Sequence, residues 1–259
     1  GADEMGHRYR SRFEEEGIGV EGVGSLEGVA TGSAFITLDR SGENTIVVAP
    51  GANMQLSAEH VRKHAALLGG SFAVVLQNET PDEANLEAMR IAREVGTLVI
   101  YNPAPWDRKR DRALEAADVL LVNESEAEQI PPELDLRREG RGRSQTKHLI
   151  ITRGAAATRC FSGGEPFEVP TVEIDPVDTV GAGDAFVGAL AVRLSEGAAL
   201  AEAVEFANQI AALATLQVGA QESLPHREEI HISPAKAGAA GAIFAKIGLA
   251  NLKNDGKFS

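Results

Sequence analysis

Short apolar segments alternate with segments of helical periodicity through the middle of the chain, and this alternation restricts the fold more than any other feature. FAVVLQ, TLVIYN, DVLLVN and KHLIIT are apolar runs of strand length. Between them, apolar residues recur at helical spacing over residues 81–95 and about 107–116, and a short helix follows from Glu124. Strands that are apolar on both faces are typical of parallel sheets covered by helices. The sequence therefore predicts an α/β fold, with a mostly parallel sheet and helices on both faces.

Two β hairpins and three more helices are predicted outside this alternation. GSAFITLD and NTIVVAP, joined by the turn-forming RSGE, indicate a hairpin that we interpret as a small β lid at about residues 29–50. The other elements are a hairpin around residues 163–164, a helix N-capped by Ser57, and helices from about 182 and over 200–216. Residues 1–259 are interpreted as a single domain.

The charge of the chain bears on the class of partner. The formal net charge is −13 and the isoelectric point is about 5.0, whereas a protein that binds nucleic acid through its phosphates needs a basic face. The basic cluster of Arg137, Arg138, Arg141 and Arg143 is interpreted as a solvated loop. We therefore expect no nucleic-acid partner, although one local anion site for a small phosphorylated ligand remains compatible with an acidic chain.

Cysteine content and hydropathy bear on location. Cys160 is the only cysteine, so no disulfide forms within the chain, and the segment ATRCF predicts a buried structural thiol. No apolar run approaches the roughly 18 residues of a membrane span, and no signal peptide is recognisable at the start. A cytoplasmic protein without a membrane partner is expected.

Polar residues follow each of the four predicted sheet strands at its carboxyl end. They form the groups Gln77-Asn78-Glu79, Asn102-Pro103, Asn123-Glu124-Ser125-Glu126 and Thr152-Arg153-Gly154. Any one group is explained as a loop or a cap, and Asn123 alternatively N-caps the next helix. Ligands of open parallel sheets bind beyond the carboxyl ends of the strands. Four such groups therefore predict a ligand site along this edge without identifying the ligand.

The stretch DTVGAGDAF, residues 178–186, predicts an anion site at a helix N-terminus. Gly181 and Gly183 allow a tight bend and a close approach of the ligand, and a helix that begins near Ala182 presents the free N–H groups of residues 181–184 at its first turn. Asp184 would lie beside the anion and could accept a proton from an attacking hydroxyl. Alternatively, Asp184 only complements the helix dipole. The spacing matches neither a dinucleotide fingerprint nor a Walker A loop.

DTVGAGDAFVGAL resembles the C-terminal signature of the ribokinase-like (PfkB) carbohydrate kinases. Further matches occur in family order: GADEMG, TGSAFITLDRSGENTIVVAPGAN, QNETP, NPAP, NESEAE, IITRG and GAQESLP. APGAN, NPAP, NESEAE and GAQESLP together resemble the ribokinase branch more than the fructokinase or adenosine kinase branches. The resemblance implies phosphoryl transfer from ATP to the 5-hydroxyl of D-ribose. Its rivals are another sugar or nucleoside kinase of the family, and a nucleotide-binding or oligomerising remnant without catalysis.

The resemblance also implies a role for individual residues. Asp184 would be the catalytic base, Gly181, Ala182 and Gly183 the anion hole, and Glu79 a sugar contact. The nucleotide and the Mg²⁺ hydration shell would be held by Asn123 and Glu126, with Thr152, Gly154 and Asn208 lining the nucleotide site. A monovalent cation, K⁺ in type, would lie against Asp178, Val180, Thr215, Val218, Gly219 and Ser223. The lid hairpin would pair between the subunits of a homodimer. The structural alternatives are an exposed helix position for Asn208 and a plain helix end and turn over 215–223.

Two departures from the family pattern stand out. The segment that precedes GADEMG in the family, which carries an aspartate and an asparagine that hold the sugar, has no counterpart here, so we expect half of the sugar site to be absent. The sheet is then expected to lack a central strand. In addition, QIPPELDLRREGRGRSQT shows no amphipathic helix where the family usually has one.

Overall fold

The computed structural model describes residues 1–38, 44–107, 111–137, 146–163 and 165–230. The chain forms two compact units. The first unit comprises Gly1–Thr152 and Arg159–Phe167, and the second comprises Arg153–Thr158 and the chain from Glu168 onward.

The first unit opens with elements that precede the β/α alternation. They are helix α1 (Glu4–Glu15), strands β1 (Ser33–Leu38) and β2 (Asn44–Ala49), a 3₁₀ turn (Gly51–Gln55), and helices α2 (Ala58–Lys63) and α3 (Ala65–Gly69). β1 and β2 pair antiparallel, which confirms the predicted hairpin. The Ser57 hydroxyl accepts a hydrogen bond from the His60 N–H at 3.1 Å, so the predicted cap of α2 is also present. α1 was not predicted.

The β/α alternation follows as the pattern of apolar runs predicts. Its elements are β3 (Ala73–Gln77), α4 (Asp82–Val95), β4 (Leu98–Asn102), α5 (Asp111–Ala116), β5 (Val119–Asn123), α6 (Glu124–Ala127), β6 (His148–Arg153), β7 (Ala156–Phe161) and β8 (Phe167–Val169). The six strands of this sheet lie in the order β3-β4-β5-β6-β7-β8, and the pairs β3/β4, β4/β5 and β5/β6 are parallel. The predicted mostly parallel sheet is confirmed, with β3 as an edge strand. The start of the helix predicted from about 107 and part of the turn at 163–164 lie outside the described residues.

The core of the first unit lies between the parallel strands and the apolar face of α4. Met89 and Ala92 on α4 pack in one buried cluster with Val99, Leu120 and Leu149 from three neighbouring strands. α4 ends at Gly96, whose φ of +81° is the left-handed conformation that favours glycine at a helix C-terminus.

Cys160 is fully buried, and this burial raises the pKa of its thiol to about 12. The thiol is therefore protonated at neutral pH, as expected of a structural rather than a nucleophilic cysteine.

The second unit is built around α7 (Ala182–Ser195) and α8 (Leu200–Ala214), with a 3₁₀ turn at Arg227–Glu229. The two helices pack against each other and bury Phe186, Leu190, Val204 and Ala207. Apolar residues at helical spacing on both segments account for this pairing. Both helices agree with the sequence prediction.

The basic cluster differs in part from the solvated loop that was expected. The Arg137 guanidinium donates to the buried Asp135 carboxylate at 2.8 Å and to the Ala127 carbonyl at 2.6 Å. Arg138, Arg141 and Arg143 lie outside the described residues. No helix follows Ala127 in the described chain as far as Arg137, in agreement with the sequence pattern. Across the described ranges, none of the helices has the length and apolarity needed to cross a membrane.

Candidate active site

The N-terminus of α7, in the second unit, carries the glycine turn of the DTVGAGDAF motif. Gly181 has a φ of +79°, a conformation that side chains rarely adopt, and a Cβ at this position would lie 3.0 Å from the Ala220 carbonyl oxygen. Glycine is therefore required at residue 181 by backbone conformation and by the close approach of another turn. No side chain caps the N-terminus of α7, so the N–H groups of its first turn receive no hydrogen bond from a capping side chain.

Gly183 and Asp184 lie in the first turn of α7, and both are exposed. A Cβ at Gly183 would meet nothing within 4 Å, so the space over its backbone is open. The Ala182 N–H, by contrast, donates to the Thr179 carbonyl at 3.3 Å. The prediction that this amide belongs to the set of free donors therefore needs correction, because a hydrogen bond within the turn engages it. The first turn is nevertheless exposed at Gly183 and Asp184, and the anion site expected there stays a prediction.

The two segments expected to hold a monovalent cation are brought together in the second unit. One Asp178 carboxylate oxygen accepts from the Val180 N–H at 3.0 Å, and the other accepts from the Gly219 N–H at 3.1 Å. These two bonds lower the pKa of Asp178 below its ordinary value, because each stabilises the charged form. Asp178 thus joins two loops that are 41 residues apart in the sequence.

The other residues predicted to bind the cation differ in their hydrogen bonding and in their exposure. The Thr215 carbonyl accepts from the N–H groups of Val177 and Asp178, at 2.8 and 3.1 Å, and its hydroxyl donates to Ala212 at 2.8 Å. Ser223 is buried and donates to the Ala220 carbonyl, whereas Val218 is strongly exposed. The alternative of a plain helix end and turn therefore describes Thr215 well, since both acceptor positions of its carbonyl are occupied.

The first unit aligns its predicted polar residues at the carboxyl ends of the strands. Gln77 pairs with Asn102 across β3 and β4, and Asn123 pairs with Thr152 across β5 and β6. The Gln77 amide donates to Asn102 Oδ1 at 3.2 Å, and Asn102 Nδ2 donates to the Leu121 carbonyl at 2.9 Å. The predicted row of polar strand ends is therefore present in this unit. Parallel register produces it, because parallel strands end on the same side of a sheet.

Asn123 and Glu126 form a capping box at the start of α6. Asn123 Oδ1 accepts from the Glu126 N–H, and Glu126 Oε2 accepts from the Asn123 N–H, each at 2.8 Å. Burial raises the pKa of Glu126, and the bond from the Asn123 backbone opposes this shift only in part. The capping role given as an alternative for Asn123 is thus observed. Because the box engages the Asn123 side chain only through Oδ1, the Nδ2 donor of this exposed residue can face a ligand.

Glu79 and Gly154 are exposed residues. Glu79 follows β3 in the first unit, and Gly154, with a φ of +57°, occupies the turn between β6 and β7 in the second unit. Thr152, at the end of β6, is half-buried, and its hydroxyl lies 3.4 Å from the Val122 carbonyl.

Asn208 is not at an exposed helix position, so that alternative is wrong. Its side chain is 5% exposed, and Oδ1 accepts from the Thr158 hydroxyl at 2.8 Å. Its Nδ2 donates to the carbonyls of Val169 and Pro170, at 3.3 and 3.1 Å. Asn208 therefore ties α8 to two other segments of the second unit, and its expected place near the adenine stays a prediction.

Sequence reasoning named Asn78 as a polar strand end but overlooked Asn85 and Tyr101, which complete a buried polar set near Glu79 in the first unit. Asn78, Asn85 and Tyr101 are buried and are joined by hydrogen bonds to the segment that carries Glu79. Asn85 left a signal in the sequence, because it interrupts the apolar face that Ala84, Ala88 and other residues of α4 present to the core.

Known proteins are similar to this chain in both sequence and fold. The chain matches the pfkB family carbohydrate kinases over residues 1–227. A ribokinase from Mus musculus is 31% identical over 245 residues, which cover 90% of this chain and 76% of that protein. A ribokinase structure from Thermotoga maritima has a TM-score of 0.75 at 32% identity, covering 87% of this chain and 76% of that chain. A suggested ribokinase II from E. coli, in complex with ATP and Mg²⁺, has a TM-score of 0.76 at 25% identity, covering 86% and 77%.

These matches agree with the glycine turn at α7 and with the row of polar strand ends. The chain therefore belongs to the pfkB family of carbohydrate kinases.

Proposed function

We propose that this ATP-dependent carbohydrate kinase transfers the γ-phosphate of ATP to the 5-hydroxyl of D-ribose. The observation that carries the proposal is the N-terminus of α7, where an exposed carboxylate at Asp184 adjoins an uncapped helix turn with open space over Gly183. Relatives such as the mouse ribokinase, at 31% identity, support ribose as the proposed acceptor.

In this reaction Asp184 accepts the proton of the sugar 5-hydroxyl as its oxygen attacks the γ-phosphorus. The new P–O bond forms while the bond to the β-phosphate oxygen breaks and ADP departs. The backbone of Gly183 and the positive end of the α7 dipole stabilise the charge on the transferred group. Because little covalent chemistry falls to the protein, positioning and electrostatics provide most of the acceleration.

In the first unit, Asn123 and Glu126 are suited to bind the nucleotide phosphates and the water around Mg²⁺. Asn123 offers an exposed amide donor suited to a phosphate oxygen, while the capping box holds its side chain in place. Glu126 is buried in that box through Oε2, an arrangement that suits contact with water around Mg²⁺ more than direct ligation. The ion would neutralise charge on the phosphates during transfer. Thr152 would lie beside Asn123 in this role, with Gly154 and Asn208 assigned to the nucleotide.

A K⁺-type cation is proposed as an activator at the joined loops of the second unit. The carbonyl groups of these loops, at Val180, Val218 and Gly219, and the carboxylate of Asp178 have the chemistry of such a site. The Thr215 carbonyl fits it less well, since two N–H groups already occupy it. Among the described residues, no cluster of three or more His, Cys, Asp or Glu side chains could hold a metal ion.

The β1–β2 hairpin is proposed as a lid that pairs between two copies of the chain. Phe35 and Val47 lie directly opposite each other in the hairpin and are 62% and 60% exposed. A pair of large apolar side chains exposed on a two-stranded sheet is typical of a surface that another chain covers. Replacing Phe35 by Glu is expected to convert a dimer to a monomer in sedimentation velocity. A dimer that persists in this variant would refute the proposed pairing.

The proposed reaction is tested with the variant Asp184→Asn. We expect the loss of sugar-dependent ATP consumption, with nucleotide binding retained in calorimetry. Asp175→Asn is the matched control, because Asp175 is another exposed aspartate of the second unit that lies outside the α7 turn. Turnover at the wild-type rate in Asp184→Asn would overturn the base assignment.

Ribose, fructose, deoxyribose and adenosine, offered as acceptors, test the substrate. Ribose is expected to give the highest kcat/KM, and preference for another acceptor would replace ribose within the same family. Nucleotide binding without turnover of any acceptor would instead support a nucleotide-binding protein without catalysis.

A further inference from the structure

Glu79 projects from a short segment whose neighbours are held by buried amides. It is exposed, whereas Asn78 beside it is 7% exposed and Asn85, on α4, is 2% exposed. Burying an amide is unfavourable unless its donors and acceptors are paired. The two asparagines are paired: Asn78 with β4 and the loop after it, and Asn85 with Gln77 and Thr80, which lie on either side of Glu79 in the sequence.

Asn78 connects the end of β3 to the loop after β4. Its Oδ1 accepts a hydrogen bond from the Tyr101 hydroxyl, and its Nδ2 donates to the carbonyls of Pro103 and Pro105, at 3.2 and 2.9 Å. Its backbone N–H donates to the Ala104 carbonyl at 3.0 Å. Tyr101 is completely buried in β4, so its hydroxyl is a fixed point for the position of Asn78.

Asn85 holds the same segment from the side of α4. Its Nδ2 donates to the Gln77 carbonyl at 2.7 Å, and its Oδ1 accepts from the Thr80 hydroxyl at 2.8 Å. Gln77 and Thr80 bracket residues 78 and 79. The backbone of Glu79 is therefore anchored on the β4 side through Asn78 and on the α4 side through Asn85.

We propose that Asn78, Asn85 and Tyr101 are positioning residues that set the affinity for the sugar acceptor by fixing the segment that carries Glu79. The proposal rests on the proposed function and on the sugar contact that the family resemblance implies for Glu79. None of the three needs to touch substrate: each acts through backbone or side-chain atoms of residues 77–80. A binding group held by a second layer of paired side chains keeps its geometry, and small displacements of such a group weaken binding strongly.

The test compares two conservative variants at opposite ends of β4. Tyr101→Phe removes the hydroxyl that donates to Asn78. Thr97→Val is the matched control: Thr97 is 5% exposed, its hydroxyl donates to the Leu68 carbonyl at 2.6 Å, and it lies just before β4. Both variants lose a buried hydroxyl that is hydrogen-bonded, in Thr97 to the carbonyls of Leu68 and Ser71 at 2.6 and 3.4 Å, so both are expected to lower the melting temperature. Only Tyr101→Phe disturbs the segment of Glu79.

Steady-state kinetics and hydrogen exchange provide separate readouts. For Tyr101→Phe we expect the sugar KM to rise about tenfold, with kcat and the KM for ATP little changed. Amide exchange of a peptide spanning residues 77–81 should accelerate in the same variant. Thr97→Val should leave all these quantities at wild-type values. Equal effects of the two variants on sugar KM and on exchange would overturn the proposal.

Glu79→Gln separates this inference from the function on which it rests. If Glu79→Gln raises the sugar KM but Tyr101→Phe does not, the positioning role is wrong and the sugar contact stands. If Glu79→Gln has no effect on a working kinase, the sugar contact of Glu79 is wrong, and if no sugar is phosphorylated, the proposed function is wrong. Amide hydrogen exchange then tests the anchoring of residues 77–80 separately. Faster exchange in Tyr101→Phe than in Thr97→Val supports the anchoring, and equal exchange in the two variants refutes it.

Discussion

Replacing Gly183 by alanine separates the chemistry of the α7 N-terminus from its folding. Apart from its chain neighbours and the nearby backbone of α7, the new Cβ would meet nothing within 4 Å, so the fold accommodates it without a shift. Alanine is favoured over glycine in helices by about 0.5–1 kcal/mol. For a domain of this size, such a gain raises the melting temperature by about 1–4 °C. We therefore expect Gly183→Ala to be at least as stable as the wild type.

Activity is expected to change in the opposite direction. The open space over Gly183 is the place proposed for the transferred phosphoryl group, and a methyl group there would keep that group away from the backbone. Loss of one donor to a developing anion typically lowers kcat by a factor of about 100–1,000, and we expect a loss of this order in kcat/KM. A coupled assay of ADP release, with ribose as acceptor, measures it alongside thermal unfolding.

Two glycines of the same region are the controls. Gly188 is also exposed on α7, and a methyl group added there would meet nothing within 4 Å, so Gly188→Ala should gain stability and keep full activity. Gly181→Ala should lose stability, because its φ of +79° costs a non-glycine residue about 1–2 kcal/mol. Wild-type kcat/KM in Gly183→Ala would refute the placement of the phosphoryl group at this turn.

Three further predictions concern stability. Asn208→Ala should lower the free energy of unfolding by about 1–3 kcal/mol in urea titrations, because buried partners lose their hydrogen bonds, whereas the exposed Glu205→Ala should change it little. Asp3→Asn should destabilise the fold at neutral pH, since bonds from Thr31 and Gly6 hold the pKa of Asp3 well below its ordinary value. This stabilisation is present above the pKa that Asp3 has in the unfolded state and is lost as the pH falls through its pKa in the folded state. The free energies of unfolding of wild type and variant should therefore become equal in acid. A stability difference that stays constant with pH would contradict the assignment. Glu126→Gln should keep the capping box and match or exceed wild-type stability at neutral pH, because burial raises the pKa of Glu126 and disfavours its charge. Its advantage should shrink as pH falls and Glu126 becomes protonated, which thermal unfolding at several pH values would show.

Local patterns were sufficient to predict most of the elements. Continuous apolar runs marked β3 to β6, and Ser57 and Asn123 marked the starts of α2 and α6. α1 was not predicted: its apolar residues Met5, Tyr9 and Phe13 recur at helical spacing but lie among many charged residues, and none of its residues is buried. The capping aspartate at Asp3, which accepts from the Gly6 N–H at 2.8 Å, was the signal available for it.

The sequence by itself determined the order of strands and helices, the parallel sheet and the glycine turn before α7, because periodicity and backbone preference act over neighbouring residues. Only the tertiary structure decided that Asp178 meets Gly219, that Asn208 is buried against Thr158, and that Tyr101 holds Asn78. These contacts join residues 23 to 50 positions apart. A hydrogen bond over such a separation depends on how the elements pack, and an amide or a carboxylate in a sequence carries no mark of the partner that packing will bring to it.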